Sequence, residues 1–283
     1  IEQASRVYEL CKDLKIEKYK IYCRELKALF LKVKELENLV SEFSDDSLVQ
    51  EVLYTLKRFR FKCSVNLLPF NHEYLIDSLK GFSRNSRILK NSYPVLNDCL
   101  QEIETTIQMI TKIHVNPLFQ KVLEITREYQ RQNIGLLIRD SSTIELTRRL
   151  LHEHHMHNIE LVNPYMLTGP AFFKRIILVC STSLFPSHIF SSPRSRYIDL
   201  VEYEWLSGKI DMGILLAQPV NVSFNDQIDE INVNKQEEDP ELQEEIIPSI
   251  NWTIFSLDAV REVQKKSSIS KLPARIILLE DDF

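Results

Sequence analysis

The sequence predicts an α-rich α/β protein: an N-terminal helical domain followed by a parallel-sheet domain. Three observations carry this. Across residues 1–130 apolar side chains recur at three- and four-residue spacing, with Gly81 as the lone glycine, a pattern that suits helices and argues against hairpins. From residue 133 the texture changes to short apolar runs separated by one capped helix, the unit of a parallel sheet. Between Asp226 and Glu245 nine acidic residues face the single Lys235, the composition of a solvated insertion or linker.

In chain order, "ASRVYELCKDL" and "YCRELKALFLKVKELENLVSEF" are the first amphipathic stretches. In the second, Leu26, Leu29, Phe30, Val33, Leu36, Leu39, Val40 and Phe43 fall on helical spacing. Ser44-Asp45-Asp46-Ser47 breaks the pattern and can cap the helix at "SLVQEVLYTLKRF". "LNDCLQEIETTIQMITKI" follows Pro94, and "PLFQKVLEITREYQRQ" places Pro117 in a first helical turn. Then "NIGLLIRD", "NIELVNP", "FFKRIILVCS" and "RYIDLVEYEW" read as four strands. The first two are joined by the helix "SSTIELTRRLLHEHHMH", with Ser141 or Ser142 at its start. "LDAVREVQKK" and "ARIILLEDDF" add a closing helix and strand. The expected organisation is therefore a helical domain over 1–130, an α/β domain over 131–222, an acidic insertion or linker over 223–250, and 251–283 completing the α/β domain.

Charge and cysteine usage narrow the setting. The net charge of −5 is local: residues 223–283 carry 6 Lys+Arg against 14 Asp+Glu, whereas residues 1–130 carry 20 against 18. Five cysteines, Cys11, Cys23, Cys63, Cys99 and Cys180, lie scattered without CxxC spacing, as expected of reduced thiols in a cytoplasmic protein. No apolar run approaches the ~20 residues of a membrane helix, so no membrane partner is expected. The chain begins at Ile1 without a signal-peptide pattern, and its start and end suggest a piece of a longer polypeptide.

Motifs exclude more than they assign. G-x-x-x-x-G-K-[ST] and G-x-G-x-x-G are both absent, and five glycines in 283 residues leave little room for a phosphate cradle. Independent ATPase activity and a bound cofactor are not expected. The histidines of "LLHEHHMH" invite a metal reading, but Met156 stands where a helical zinc protease needs its second histidine. Imidazoles in a last helical turn can instead meet unpaired carbonyls. Asp199, Glu202 and Glu204 lie close together without the E-x-K that would finish a nuclease triad. They are expected to line a strand edge or its polar face. Three basic segments remain as candidate phosphate or nucleic-acid contacts: "LKRFRFKC" with Lys57, Arg58, Arg60 and Lys62; "FSRNSRILK" with Arg84, Arg87 and Lys90; and "SSPRSRY" with Arg194 and Arg196. Cationic groups neutralise phosphates and interleaved Phe59 and Phe61 could stack on bases, or could equally be core residues.

The order "IGLLIRD", helix, "IELVNP", "FFKRIILVCSTSLFPSHIFSSPRSRYIDLVEYEW" across 133–206 resembles the second RecA-like domain of helicase-type proteins. The segment "LFPSHIFSSPRSRYIDLVEYEW" is similar to helicase-like anti-phage defence proteins of the DISARM DrmE kind. The resemblance covers about 75 residues and implies a Rossmann/RecA-like sheet whose loop arginine, Arg194 or Arg196, faces a nucleotide held by a partner domain. It implies a non-catalytic or partner-completed module of a nucleic-acid-processing system, with nucleic acid, other subunits or a partner RecA-like domain as partners. A protein-interaction scaffold and a metal-dependent nuclease or hydrolase are the alternatives.

Overall fold

A computed structural model of the chain describes residues 2–41 and 46–206, Gly208, Ile210 and the backbone of 223–229. Among the described residues six strands, all parallel, form one sheet in the order β3-β2-β4-β5-β1-β6. They are β1 (Lys15–Ile21), β2 (Ile134–Ile138), β3 (Ile159–Val162), β4 (Arg175–Val179), β5 (Tyr197–Tyr203) and β6 (Ser223–Asp229). Every residue of β2 and β4 is buried, which explains why unbroken apolar runs encode them.

The four strands expected between 133 and 206 are present, and two more join them. β1 lies inside the stretch read as helical nearly throughout, and it crosses the boundary drawn at residue 130. Its sequence "KIEKYKI" sets Ile16, Tyr19 and Ile21 among four charged residues, with Glu17 and Lys18 adjacent, so no two-residue apolar period shows. β6 occupies Ser223–Asp229, the first residues of the segment expected to be an acidic insertion or linker. It pairs with β1 from Lys15↔Ser223 to Ile21↔Asp229. Its acidic composition suits its place, because the strand ends the sheet order and edge strands tolerate charge. The remainder of that insertion and the closing helix and strand of 251–283 lie outside the described residues.

The helices are α1 (Glu2–Lys12), α2 (Arg24–Leu39), α3 (Ser47–Val65), α4 (Glu73–Ile76), α5 (Phe82–Ser92), α6 (Asn97–Thr111), α7 (Pro117–Glu128), α8 (Ile144–Glu153) and α9 (His188–Ser191). α2 packs on α3 and α6, α3 on α5, and α7 on β5. Local chemistry sets their starts. Asp46 accepts the Leu48 and Val49 amides at the head of α3, within the expected break. Asn116 accepts Leu118 N–H ahead of Pro117, and its amide donates to the carbonyls of Asn66 and Leu68. One buried side chain thereby caps α7 and pins the chain leaving α3. Gly81 precedes α5 at φ 86°, a left-handed conformation that glycine adopts without strain.

One sheet face buries Ile16, Leu137, Ile176, Leu178, Ile198 and Leu200 against Leu167, Phe173, Phe185, Ile189 and Phe190. Each such large apolar side chain contributes on the order of 1.5–3 kcal/mol. Gly135 in β2 has a packing role here. A Cβ at this position would stand 3.1 Å from the Phe173 ring, so the ring lies directly on the strand backbone.

Candidate ligand crevice at the carboxyl edge of the sheet

The strand order fixes where a ligand would sit. β2 is flanked by β3 on one side and β4 on the other, so successive connections diverge there and open a crevice beyond the strand carboxyl ends. The loops that border it are Arg139–Ser142 after β2 and Cys180–Ser183 after β4. Asp140 is fully engaged. One carboxylate oxygen accepts from Tyr74 O–H at 2.7 Å and Asn66 Nδ2 at 3.2 Å. The other accepts from the Ser142 amide and hydroxyl at 3.2 and 2.6 Å. Asp140, rather than Ser141 or Ser142, therefore caps the turn into α8, and it ties that turn to the end of α3 and to α4. Burial, with the Asp140 charge beside it, holds the Tyr74 phenol well above its ordinary range, so it stays a donor at neutral pH.

Across the crevice Cys180 adopts φ 111°, a region side chains rarely occupy. Its thiol is wholly buried and its pKa stands well above the usual value, first through burial. This keeps it protonated and a poor nucleophile. Ser181 and Ser183 share a hydrogen bond of 2.9 Å. Gly208 presses on this loop so closely that a Cβ would stand 2.9 Å from Thr182 Oγ1. Lys18 of β1 donates to the Gly208 carbonyl at 2.9 Å and lies 3.9 Å from buried Glu202. The crevice thus offers hydroxyls, loop amides and a half-buried Lys18 beside buried Glu202, but no glycine-rich phosphate cradle.

Asp199 and Glu202 do not cooperate in chemistry. Three positions apart on β5, they fall on opposite faces of the sheet. Asp199 binds Arg175 at 2.5 Å, both deeply buried, with the Arg175 guanidinium 3.7 Å over the Tyr129 ring. Burial pushes Asp199 up to about 6 even with Arg175 opposing it. This pair was not legible as a site, and it sits on the register Arg175↔Tyr197 near the strand amino ends.

The arginines of "SSPRSRY" lie at that amino end too, because their loop enters β5. Arg194 is 9% exposed and donates to the carbonyls of Leu167 and Thr168 at 2.7 and 3.1 Å. It closes the 3-10 turn Met166–Thr168. Arg196 pairs with Asp13 at 3.4 Å, both half exposed.

The histidines also stand at the amino edge. α8 closes with the amide of Met156 bonded to Leu151 O and that of His155 to His152 O, with His155 at φ 59°. This is a Schellman motif with histidine in the position glycine favours. Backbone amides, not imidazoles, therefore satisfy those carbonyls, and the His152 and His157 rings pack edge-on at 5.2 Å. Beside them His157, Arg131, Asn133 and Asn158 border an open cleft of about 390 Å³. Among the described residues no three His, Cys, Asp or Glu side chains are arranged to hold a metal ion.

The helical basic patch divides. Lys57 pairs with Glu37 at 2.5 Å, and Lys62 lies 3.7 Å over the Tyr74 ring. Arg58 stands close enough to Tyr74 to act on its phenol. Phe59 is core, and Arg60 is buried with it. Arg84 and Arg87 stay exposed on α5, while Lys90 of that helix pairs with Glu104 at 2.8 Å. No described helix is long and apolar enough to cross a membrane. No family model, curated protein or solved structure matches this chain.

Proposed function

We propose that the chain is a non-catalytic, partner-completed helicase-like module of a nucleic-acid-processing system, with anti-phage defence as the setting its sequence resemblance implies. The observation that carries the reading is the doubly wound, all-parallel sheet with its crevice at the β2–β4 divergence. That edge is bordered by Ser142, Ser181, Thr182 and Ser183, groups that can hydrogen-bond phosphate without supplying a catalytic lysine cradle. The exposed Arg84 and Arg87 would add sequence-independent attraction to a phosphate backbone.

The test is fluorescence anisotropy of a labelled single-stranded oligonucleotide over a salt series. Affinity should fall steeply with salt, weaken in Arg84→Ala/Arg87→Ala, and weaken again in Ser183→Asp, which sets a negative charge at the crevice. Salt-insensitive binding, or none, removes the reading. A protein-interaction scaffold is the second reading, favoured by one observation: Tyr165, beyond the carboxyl end of β3, is 84% exposed with Met166 beside it. A stable complex lost in Tyr165→Ser, without oligonucleotide affinity, would decide for it.

A further inference from the structure

The turns that lead into β2 and β3 lie side by side and are tied together. Ile134 N–H donates to the Asn158 carbonyl at 3.2 Å, and Asn158 Nδ2 donates to the Gln132 carbonyl at 3.3 Å. Both turns line the cleft of about 390 Å³, which carries Gln130, Arg131, Asn133, His157 and Glu160 on its walls. Its volume falls within the range of small-ligand sites. The His157 ring is set by its neighbours, edge-on to His152 at 5.2 Å and tilted to His155 at 6.3 Å.

These side chains differ from the rest of the amino edge. There Arg175 is held by Asp199, Arg194 by two carbonyls and Arg196 by Asp13. The side chains of Gln130, Arg131, Asn133 and Glu160 make no hydrogen bond or ion pair with any described residue. On a convex surface such groups are merely solvated, but here they converge on one concavity.

The lining is chemically mixed: one guanidinium, one carboxylate, four carboxamides and one imidazole, with Ile159 as the apolar member. That suits neither an apolar ligand nor a duplex backbone, whose phosphates would meet Glu160. It suits a small ligand with one anionic group, a flat face and both donors and acceptors. A guanidinium fork matches a phosphate. Carboxamides present the donor and acceptor pair that reads a base edge, an imidazole stacks on an unstacked base, and sugar hydroxyls need an acceptor such as a carboxylate.

We propose that this cleft binds one ribonucleoside 5′-monophosphate unit, free or at the end of an RNA strand. Arg131 takes the phosphate, His157 a face of the base and Glu160 the ribose hydroxyls. The inference rests on the nucleic-acid reading for its choice among mixed-charge ligands, but it uses none of that reading's residues. Arg131→Ala therefore leaves intact the oligonucleotide binding that depends on Arg84, Arg87 and the Ser183 loop.

The test follows the imidazole C2–H proton resonances of the full chain, with His157→Gln identifying the His157 signal. That signal should shift saturably with AMP, and at least tenfold less tightly with adenosine or inorganic phosphate. A 5′-phosphorylated diribonucleotide decides the source: tighter binding than AMP marks a strand end, equal or weaker binding a free nucleotide. Arg131→Ala should weaken AMP at least tenfold, and dAMP should bind several-fold more weakly than AMP. Glu160→Gln should abolish that preference for ribose, an effect that altered folding would not produce. Arg131, His157 and Glu160 are exposed, so melting temperatures should stay unchanged. The inference is overturned if neither AMP nor the dinucleotide moves the signal, or if Arg131→Ala binds AMP as well as the parent. It is also overturned if inorganic phosphate binds as tightly as AMP, or if Glu160→Gln keeps the ribose preference. Oligonucleotide binding that survives any of these results would leave the nucleic-acid reading standing alone.

Discussion

Arg175 and Arg60 are both buried guanidiniums, one near the amino ends of the strands and one in the helical layer, and they are treated differently. Arg175 has Asp199 at 2.5 Å, Glu17 at 4.0 Å and two tyrosine rings about it. Arg60 has the Phe30 ring, with Cζ 4.6 Å from its centroid, and the charge of Glu37 within reach. Arg194, also buried at the amino edge, has two carbonyls. The difference teaches that the amino edge is built for stability around a charge pair and carbonyl anchors, with Arg175 Nε, Arg194 Nη1 and Asp199 Oδ2 still unpartnered among the described residues. At the opposite edge, where parallel sheets bind ligands, the Tyr203 hydroxyl and the Trp205 indole N–H are unpartnered too.

Replacing Arg175 with Met is the most severe way to probe this contrast. It strands the Asp199 carboxylate and should cost about 3–5 kcal/mol in chemical unfolding, whereas the same change at Arg60 should cost nothing. A loss of similar size at Arg60 would erase the distinction. Arg194→Met comes next. Removing both hydrogen bonds to the Met166–Thr168 turn should cost about 1–3 kcal/mol and leave oligonucleotide affinity unchanged, since the side chain is structural. Lost affinity with stability intact would return Arg194 to the ligand side.

The amino-edge pair also titrates. Asp199 has a folded-state value of about 6 against an ordinary 3.8, so the folded chain holds a proton that the unfolded chain releases. This group's contribution to stability is full below about pH 4 and is lost as pH rises through about 6. Urea midpoints of the parent measured between pH 4.5 and 7.5 should carry this downward component, and Asp199→Asn should flatten it. Smallest, and opposite in sign, His155→Gly relieves the left-handed conformation at the end of α8 and should add about 0.5–1 kcal/mol.

How much of this was legible follows from what each segment's neighbours demand. β2 and β4 announced themselves because a central parallel strand must be apolar on both faces. α3 and α7 did so because Asp46, Asn116 and Pro117 act within their own first turns. β1 did not, because Lys15, Glu17, Lys18 and Lys20 owe their places to β5 and β6, residues remote in sequence. The crevice loops were identifiable once strands were assigned, since topology alone locates them. The roles of the arginines were not. Arg194 and Arg60 look alike in sequence, and the carbonyls of Leu167 and Thr168 or the ring of Phe30 decide the part each one plays. Nor could spacing show that Asp140 would meet Tyr74 and Asn66, since the turn after β2, the end of α3 and α4 had to converge.

The place of β1 between β5 and β6 has a temporal consequence. Ile16 and Ile21 wait for Ile198 and Tyr203, residues made 182 positions later. At about 5–20 residues per second, the first strand spends on the order of ten seconds or more without neighbours on either side. Pairings this remote slow folding because the intervening loop must close before any contact rewards it. The charged residues interspersed along "KIEKYKI" then serve a second purpose. They keep an early, unaccompanied strand from pairing with another nascent chain before its own sheet arrives.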